Sequence, residues 1–442
     1  MKNGKPKILI LSSADPTKGP GVLAADYYDA FKEQGFEVDV LTLNYCEAHP
    51  EFLYVQNPRL LSSRIRAKIK HNLTRLYRLY LTLFHGFLLR PEDGHSFFYF
   101  KEENPPVRVS KVLSRIKKNY DIVYIVFWQE MISFASVLAI FRKLHCLIFF
   151  GGVDYSQMSG GCHFTRNCEK FKTGCGCCTA FHSNDPKDFT KHNVLYRQKV
   201  YDEVKPVVCG NSYMLEYYRQ SFLLNNYPCT ISFPIINTSL FRPMDKGMLQ
   251  DKYEISKKKT FKILFGCQNI TDIRKGIPYL IEAINIFIER LTESERLQVL
   301  VMAIGKDFDK AKAQLKAVDT YDFGYVSGGE LPLIYSLADV FICPSVDDAG
   351  PMMVNQSLCC GTPVVGFEMG ACLDAVKDKG TGYCAPLRDS QGLSVGIEKI
   401  FRQTPEERDA MQRRCVELAQ ETYSYEACVK RIVDEYERRN NN

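Results

Sequence analysis

Residues 262–290 read KILFGCQNITDIRKGIPYLIEAINIFIER, and this stretch decides the fold. KILFGCQN (262–269) is a short apolar run, as a strand buried on both faces of a parallel sheet requires. GIPYLIEAINIFIER places its apolar residues at helical spacing, so a helix follows the Arg-Lys-Gly loop. Downstream, LQVLVMAIG (297–305) reads as a strand and YDFGYV (321–326) as another. LIYSLADVFICPS (333–345) gives a helix and a strand, and GTPVVGF (361–367) a further strand. The same alternation opens the chain. KILILSS (7–13) is a strand, DPTKGPG (15–21) a loop, VLAADYYDAFKEQG (22–35) a helix ending on a glycine, and FEVDVLTL (36–43) a strand. DIVYIVF (121–127), CLIFF (146–150) and PVVCGNS (206–212) continue the series. Two runs of βα alternation predict an α/β protein of two Rossmann-like, doubly wound domains. Ligands are then expected at the carboxyl ends of the strands, in a central cleft that the domains face. FPIINTSLFRP (233–243) reads as the linker. The expected domains are 1–240 and 241–425, with a C-terminal helix and tail over 426–442.

Length and composition agree with this reading. A chain of 442 residues calls for two or three domains, and 45% hydrophobic with 24% charged residues is the balance of a globular protein. A net charge of +6 suits acidic ligands or a membrane surface and argues against a dedicated nucleic-acid binder. The apolar run 8–11 is too short for a signal-peptide core, and no stretch is long enough to span a bilayer, so a cytoplasmic protein is expected. Seventeen cysteines then read as buried thiols or metal ligands before they read as disulfides. Residues 52–91 hold eight Lys or Arg and no Asp or Glu. The part from 59 to 90 is either a solvated helix with one packed face or a basic amphipathic helix lying on anionic lipid at the inner membrane face.

The chemistry concentrates in PSVDDAGPMMVNQSLCCGTPVVGFEMG (344–370), which follows a strand and opens a helix. Helix N-termini offer unpaired N–H groups and a positive dipole end, which hold phosphates and hydroxyls. Asp348 and Gln356 lie eight positions apart across that junction. Taken singly, the Asp reads equally as an N-cap and the Gln as a satisfied core amide. Arg274 and Lys275, between a strand and a helix, can stabilise charge developing on a leaving diphosphate. Gly19 and Gly21 form a glycine loop after the first strand. A cysteine-rich insertion occupies 154–178, with Cys162, Cys168, Cys175 and Cys178 spaced C-x5-C-x6-C-x2-C. That spacing suits a tetrahedral structural zinc or another thiolate-bound metal, and four reduced thiols packed in a loop is the alternative.

On these residues the chain resembles the family-4 retaining glycosyltransferases of GT-B fold. Pro344, Ser345, Cys360, Gly361, Thr362, Pro363, Val364 and Val365 match the family's signature as they stand. The signature's two acidic positions fall on Asp348 and Gln356, one side chain a methylene shorter and the other uncharged. The Cys-rich loop is similar to that of a subgroup from bacterial surface-polysaccharide clusters, through Gly160, Gly161, Cys162, His163, Cys168, Cys175 and Cys178. That subgroup's leading histidine is Val153 here, beside a retained Asp154.

The resemblance implies a retaining hexosyltransferase that uses a nucleotide-sugar donor and a glycan or lipid-linked acceptor, with no catalytic metal. Arg274 and Lys275 then hold the diphosphate and Asp348 the sugar hydroxyls. Gln356 contacts ribose, Gly350 belongs to the donor loop, and Tyr325 and Val326 lie near the base. Gly19 and Gly21 approach the diphosphate, and Asp154 lies on the acceptor side. The alternatives are a non-catalytic partner protein of the same fold that binds a nucleotide or glycan, and a glycoside phosphorylase-like enzyme. No G-x-G-x-x-G follows either first strand, which speaks against a nicotinamide dehydrogenase.

Overall fold

The computed structural model describes residues 4–57, 76, 97–98, 101–326 and 328–441. The chain forms two compact units. The first comprises Met1–Gly210, Met214–Ser232 and Val429–Asn442, and the second Asn211–Tyr213 and Phe233–Cys428. The continuous part of the second unit thus begins at Phe233, ahead of the boundary expected after residue 240, and the tail from Val429 counts with the first unit.

The first unit holds seven strands: β1 (Ile8–Ser12), β2 (Val38–Asn44), β3 (Leu53–Gln56), β4 (Ile122–Phe127), β5 (Leu147–Phe150), β6 (Val207–Gly210) and β7 (Cys229–Ile231). They form one sheet in the order β3-β2-β1-β4-β5-β6-β7, and each neighbouring pair is parallel. The second unit has β8 (Phe261–Asn269), β9 (Val299–Lys306), β10 (Asp319–Asp322), β11 (Val340–Cys343), β12 (Val364–Phe367) and β13 (Gly382–Ala385). Their order, β10-β9-β8-β11-β12-β13, repeats the winding of the first sheet. Both sheets reverse direction beside their first strand, at β1/β4 and at β8/β11. This is the doubly wound arrangement, whose crevice opens at that reversal.

The apolar runs explain why the sheets are parallel. All five residues of β1 are buried, so both its faces are covered. In β8 alternate side chains enter opposite cores. Phe261, Ile263 and Phe265 join Leu280, Ile284 and Phe287 of the helix Ile277–Glu289. Leu264 joins Val354 and Leu358 of the helix Met352–Cys359 on the other side. Full burial of one such side chain stabilises by about 1.5–3 kcal/mol, so this face-by-face division fixes the register.

One expected strand is shifted. YDFGYV (321–326) does not form a strand throughout, because β10 ends at Asp322. Gly324 adopts φ +63°, and its carbonyl accepts the Gly305 N–H at 2.8 Å, so the chain turns there. The short strands β3, β7 and β13 had no counterpart in the sequence reading. The basic run 59–90 lies outside the described residues except for Leu76. Among the described residues no helix is long and apolar enough to cross a membrane.

Candidate functional site

In the second unit the loops that leave β8 and β11 meet over the reversal of the sheet. After β8, Asp272 caps a single turn, Ile273–Lys275, by accepting the Arg274 N–H at 3.1 Å. Gly276 then takes φ +65°, and a Cβ there would stand 1.8 Å from the Pro344 carbonyl oxygen. The two loops are therefore in backbone contact at a position only glycine fills. The Val346 N–H also donates to the Arg274 carbonyl at 2.8 Å. Between the loops lies a cavity of about 280 Å³, whose wall includes Asn269, Arg274, Lys275, Ser345 and Met352. Met352 is the first residue of the helix Met352–Cys359, so a helix N-terminus borders the cavity.

Each cation in that wall has a carboxylate partner. Lys275 Nζ donates to Asp348 Oδ2 at 2.6 Å, and Asp348 Oδ1 accepts the Gly350 N–H at 3.2 Å. Arg274 Nη2 donates to Asp272 Oδ2 at 2.6 Å. Burial pulls the Lys275 ammonium down, but Asp348 outweighs it and holds the group above the usual lysine value. The recess thus holds two partly desolvated cations, each paired with a carboxylate, Asp272 in the wall itself, and an entering anion would share those cations with their partners.

Arg274 and Lys275 line the cavity, and Asp348 reaches it through Lys275. Gly350 sits against Asn211, whose Nδ2 donates to the Ala349 carbonyl at 2.7 Å. Asn211 braces the loop at 349–350 beside the cavity, a contact hidden in the sequence because the two partners lie 138 residues apart. Gln356 is not part of the cavity wall, and its Oε1 accepts the buried Tyr335 hydroxyl at 3.2 Å. Tyr325 and Val326 follow β10. The Tyr325 ring is 57% exposed, with Lys306 Nζ 5.7 Å from its centre, while Val326 packs on the core.

In the first unit, Gly19–Gly21 forms a single turn of 3-10 helix. Gly21 has no room for a Cβ, because the Asp15 carbonyl oxygen would be 1.9 Å away. Its constraint therefore comes from its own loop. Asp154 lies just beyond the carboxyl end of β5 and is buried. It accepts from Gln129 Nε2 at 3.2 Å and the Ser156 N–H at 2.8 Å, and pairs with His163 Nδ1 at 2.8 Å. Burial pushes its carboxyl up, yet His163 and Ser156 outweigh burial and hold it below the usual range. The sequence reading noted His163 only as part of a motif; the fold makes it the partner of Asp154.

Cys162, Cys168, Cys175 and Cys178 all line one small cavity of about 30 Å³ beside Phe97 and Phe171. Burial pushes the Cys162, Cys175 and Cys178 thiols up to about 12. Among the described residues no three His, Cys, Asp or Glu side chains stand together closely enough to hold a metal ion.

Comparison with known proteins agrees with this geometry. Residues 250–418 match the family of glycosyl transferases group 1. An uncharacterised glycosyltransferase of Methanocaldococcus jannaschii is 22% identical over 175 residues, which cover 35% of this chain and 45% of that protein. The chain thus matches less than half the length of that relative. Among solved structures, sucrose-phosphate synthase from Thermosynechococcus elongatus superposes with a TM-score of 0.65 at 14% identity, covering 98% of this chain and 99% of that one. Anabaena HepE, solved with UDP and glucose, gives a TM-score of 0.61 at 14% identity over 97% and 99% of the two chains. The fold is GT-B, and residues 250–418 are similar to the glycosyl transferases group 1 family.

Proposed function

We propose that the protein is a retaining hexosyltransferase that moves a sugar from a nucleotide-sugar donor to a glycan or lipid-linked acceptor, in bacterial surface-polysaccharide synthesis. The observation that carries this reading is the cavity at β8/β11 with Arg274 and Lys275 in its wall. The donor diphosphate occupies this recess. As the glycosidic bond breaks, charge builds on the leaving oxygen, and two fixed cations stabilise it without reorganising. The acceptor hydroxyl attacks the anomeric carbon on the face the diphosphate leaves, through an oxocarbenium-like transition state. The leaving phosphate oxygen takes the acceptor's proton, so the step needs no histidine at 153. Asp154, held by Gln129, Ser156 and His163, orients the acceptor. Tyr325, an exposed ring, stacks on the base. Gln356, whose Oε1 also accepts the Tyr335 hydroxyl, accepts from a ribose hydroxyl.

The test is a thermal-shift series against UDP-, GDP- and ADP-sugars. A true donor at a hundredfold excess over Kd adds about 2.7 kcal/mol of stability. Lys275→Ala is expected to remove that shift and abolish transfer. Turnover and nucleotide binding that survive in Lys275→Ala place the donor elsewhere.

The basic run 59–90 supports a peripheral site of action on anionic lipid, at about 1 kcal/mol per basic residue near the surface. Co-sedimentation with anionic vesicles is expected to fall as salt rises and to vanish when Arg64, Arg66, Lys68 and Lys70 become Gln. Wild-type protein that ignores such vesicles at low salt removes the membrane reading of this run and favours a soluble acceptor. The spacing of the four cysteines and the one cavity they share support a structural zinc in that loop, which would have to draw the thiols together, since among the described residues no three stand within reach of one ion.

A further inference from the structure

Asp348 holds the sequence position expected to bind donor sugar hydroxyls, but its carboxylate is committed elsewhere. Oδ2 receives Lys275 Nζ at 2.6 Å and Oδ1 receives the Gly350 N–H at 3.2 Å. The residue is only 8% exposed. Lys275 sits at the end of a left-handed junction, since Gly276 beside it is pressed against Pro344. Its backbone is therefore fixed, whereas its four-carbon stem is not. Something must choose where the ammonium stands, and Asp348 is the carboxylate bonded to it.

We propose that Asp348 is a positioning residue: it is the counter-ion of Lys275 and sets where that ammonium stands on the cavity wall, instead of binding the donor sugar. The inference rests on the diphosphate role of Lys275. Arg274 repels Lys275 from the same loop and is itself tied to Asp272. The thiols of Cys267 and Cys343 line the same cavity. Without Asp348, burial acts on Lys275 with like charge beside it, and both disfavour the ammonium. A neutral lysine donates weakly to phosphate, so loss of Asp348 weakens nucleotide binding most where pH is high.

The experiment measures Kd for UDP, GDP and ADP by calorimetry from pH 7.5 to 9.5, using the whole chain. The tightest binder is then carried through the variants. Wild type is expected to hold a level Kd across this range, because Lys275 stays charged. Asp348→Asn is expected to bind within a few-fold of wild type at pH 7.5 and to lose at least tenfold by pH 9.5, approaching tenfold per pH unit. Arginine does not deprotonate in this range, so the double variant Lys275→Arg/Asp348→Asn is expected to regain a level profile. A fold defect in Asp348→Asn would not produce a pH slope that arginine removes. The proposal is overturned if Asp348→Asn keeps the wild-type profile with the free nucleotide while KM for the sugar nucleotide rises, since Asp348 then reads the sugar. If Lys275→Ala binds the nucleotide as wild type does, the diphosphate reading itself fails, and that result is distinct from the first.

Discussion

Gly276 offers a direct measure of how tightly the loops after β8 and β11 are joined. A Cβ at this position would lie 1.8 Å from the Pro344 carbonyl oxygen and 2.9 Å from its carbon, and the backbone holds φ +65°. Two costs separate. An L-residue in the left-handed region costs roughly 1–2 kcal/mol. Forcing a methyl group into packed backbone adds roughly 1–3 kcal/mol, because the Pro344 loop has to move. Gly276→Ala is therefore expected to destabilise the second unit by about 3–4 kcal/mol, or ~10 °C in melting temperature for a unit of this size. Gly324 isolates the first cost. It has φ +63° with nothing within 4 Å of its would-be Cβ, so Gly324→Ala is expected to lose only ~4 °C. Gly329, with open space around it, is the neutral control. The assay is scanning calorimetry of the variants, with nucleotide titration alongside. Gly276→Ala is expected to lose nucleotide affinity as well, because any shift of Pro344 moves the cavity wall. If it melts with Gly324→Ala and binds nucleotide as wild type does, the close approach does not hold the site together.

Further outcomes follow from other contacts. Gln356→Glu is expected to keep or improve donor affinity, since a carboxylate accepts stronger bonds from ribose; a tenfold loss, roughly 1.4 kcal/mol, would show that the amide is needed as it stands. Protein purified without chelator is expected to carry close to one zinc per chain by elemental analysis, lost on mutation of Cys162 or Cys175 but not of Cys177, whereas stable zinc-free protein leaves packed thiols. Asp339 is buried between Lys246 at 2.7 Å and Lys262 at 3.0 Å. Burial pushes its carboxyl up, but the two ammonium groups outweigh it and depress it, while at Lys262 burial wins and lowers the lysine. A depressed carboxyl stabilises above its unfolded value and loses that contribution as pH falls, so the urea midpoint is expected to drop below about pH 4. Asp339→Asn is expected to cost about 3–5 kcal/mol at neutral pH and to flatten that acid limb; an unchanged limb would assign it to other carboxylates.

The doubly wound fold was legible because its evidence is local. Runs such as KILILSS and KILFGCQN state burial on both faces, and the helical segments that follow them, the first ended by Gly35, state the crossover. The shortest strands escaped for the same reason. β7 has three residues, none buried, and β13 has four with one buried, so neither carries an apolar run to read. β10 was displaced because the sequence does not say that Gly324 takes a left-handed turn.

The candidate site divides along the same line. Arg274 and Lys275 were readable, since a strand, a short basic loop and a helix in succession put them at a carboxyl edge. Their partners were not. Lys275 and Asp348 are 73 residues apart, and Asn211 and Ala349 are 138 apart. Asp154 and His163 are close in sequence, yet their contact depends on the turn of the Cys-rich loop that brings the Tyr155 N–H to the His163 carbonyl. Side-chain type and periodicity are properties of a few neighbouring residues, and they determine which segments are strands and which loops carry charge. Which charge meets which, and whether a carboxylate faces a ligand or a lysine, depends on distances set by sheet order and packing. Those distances exist only once the chain has closed on itself, so Asp348 reads as a sugar contact in the sequence and stands as the partner of Lys275 in the fold.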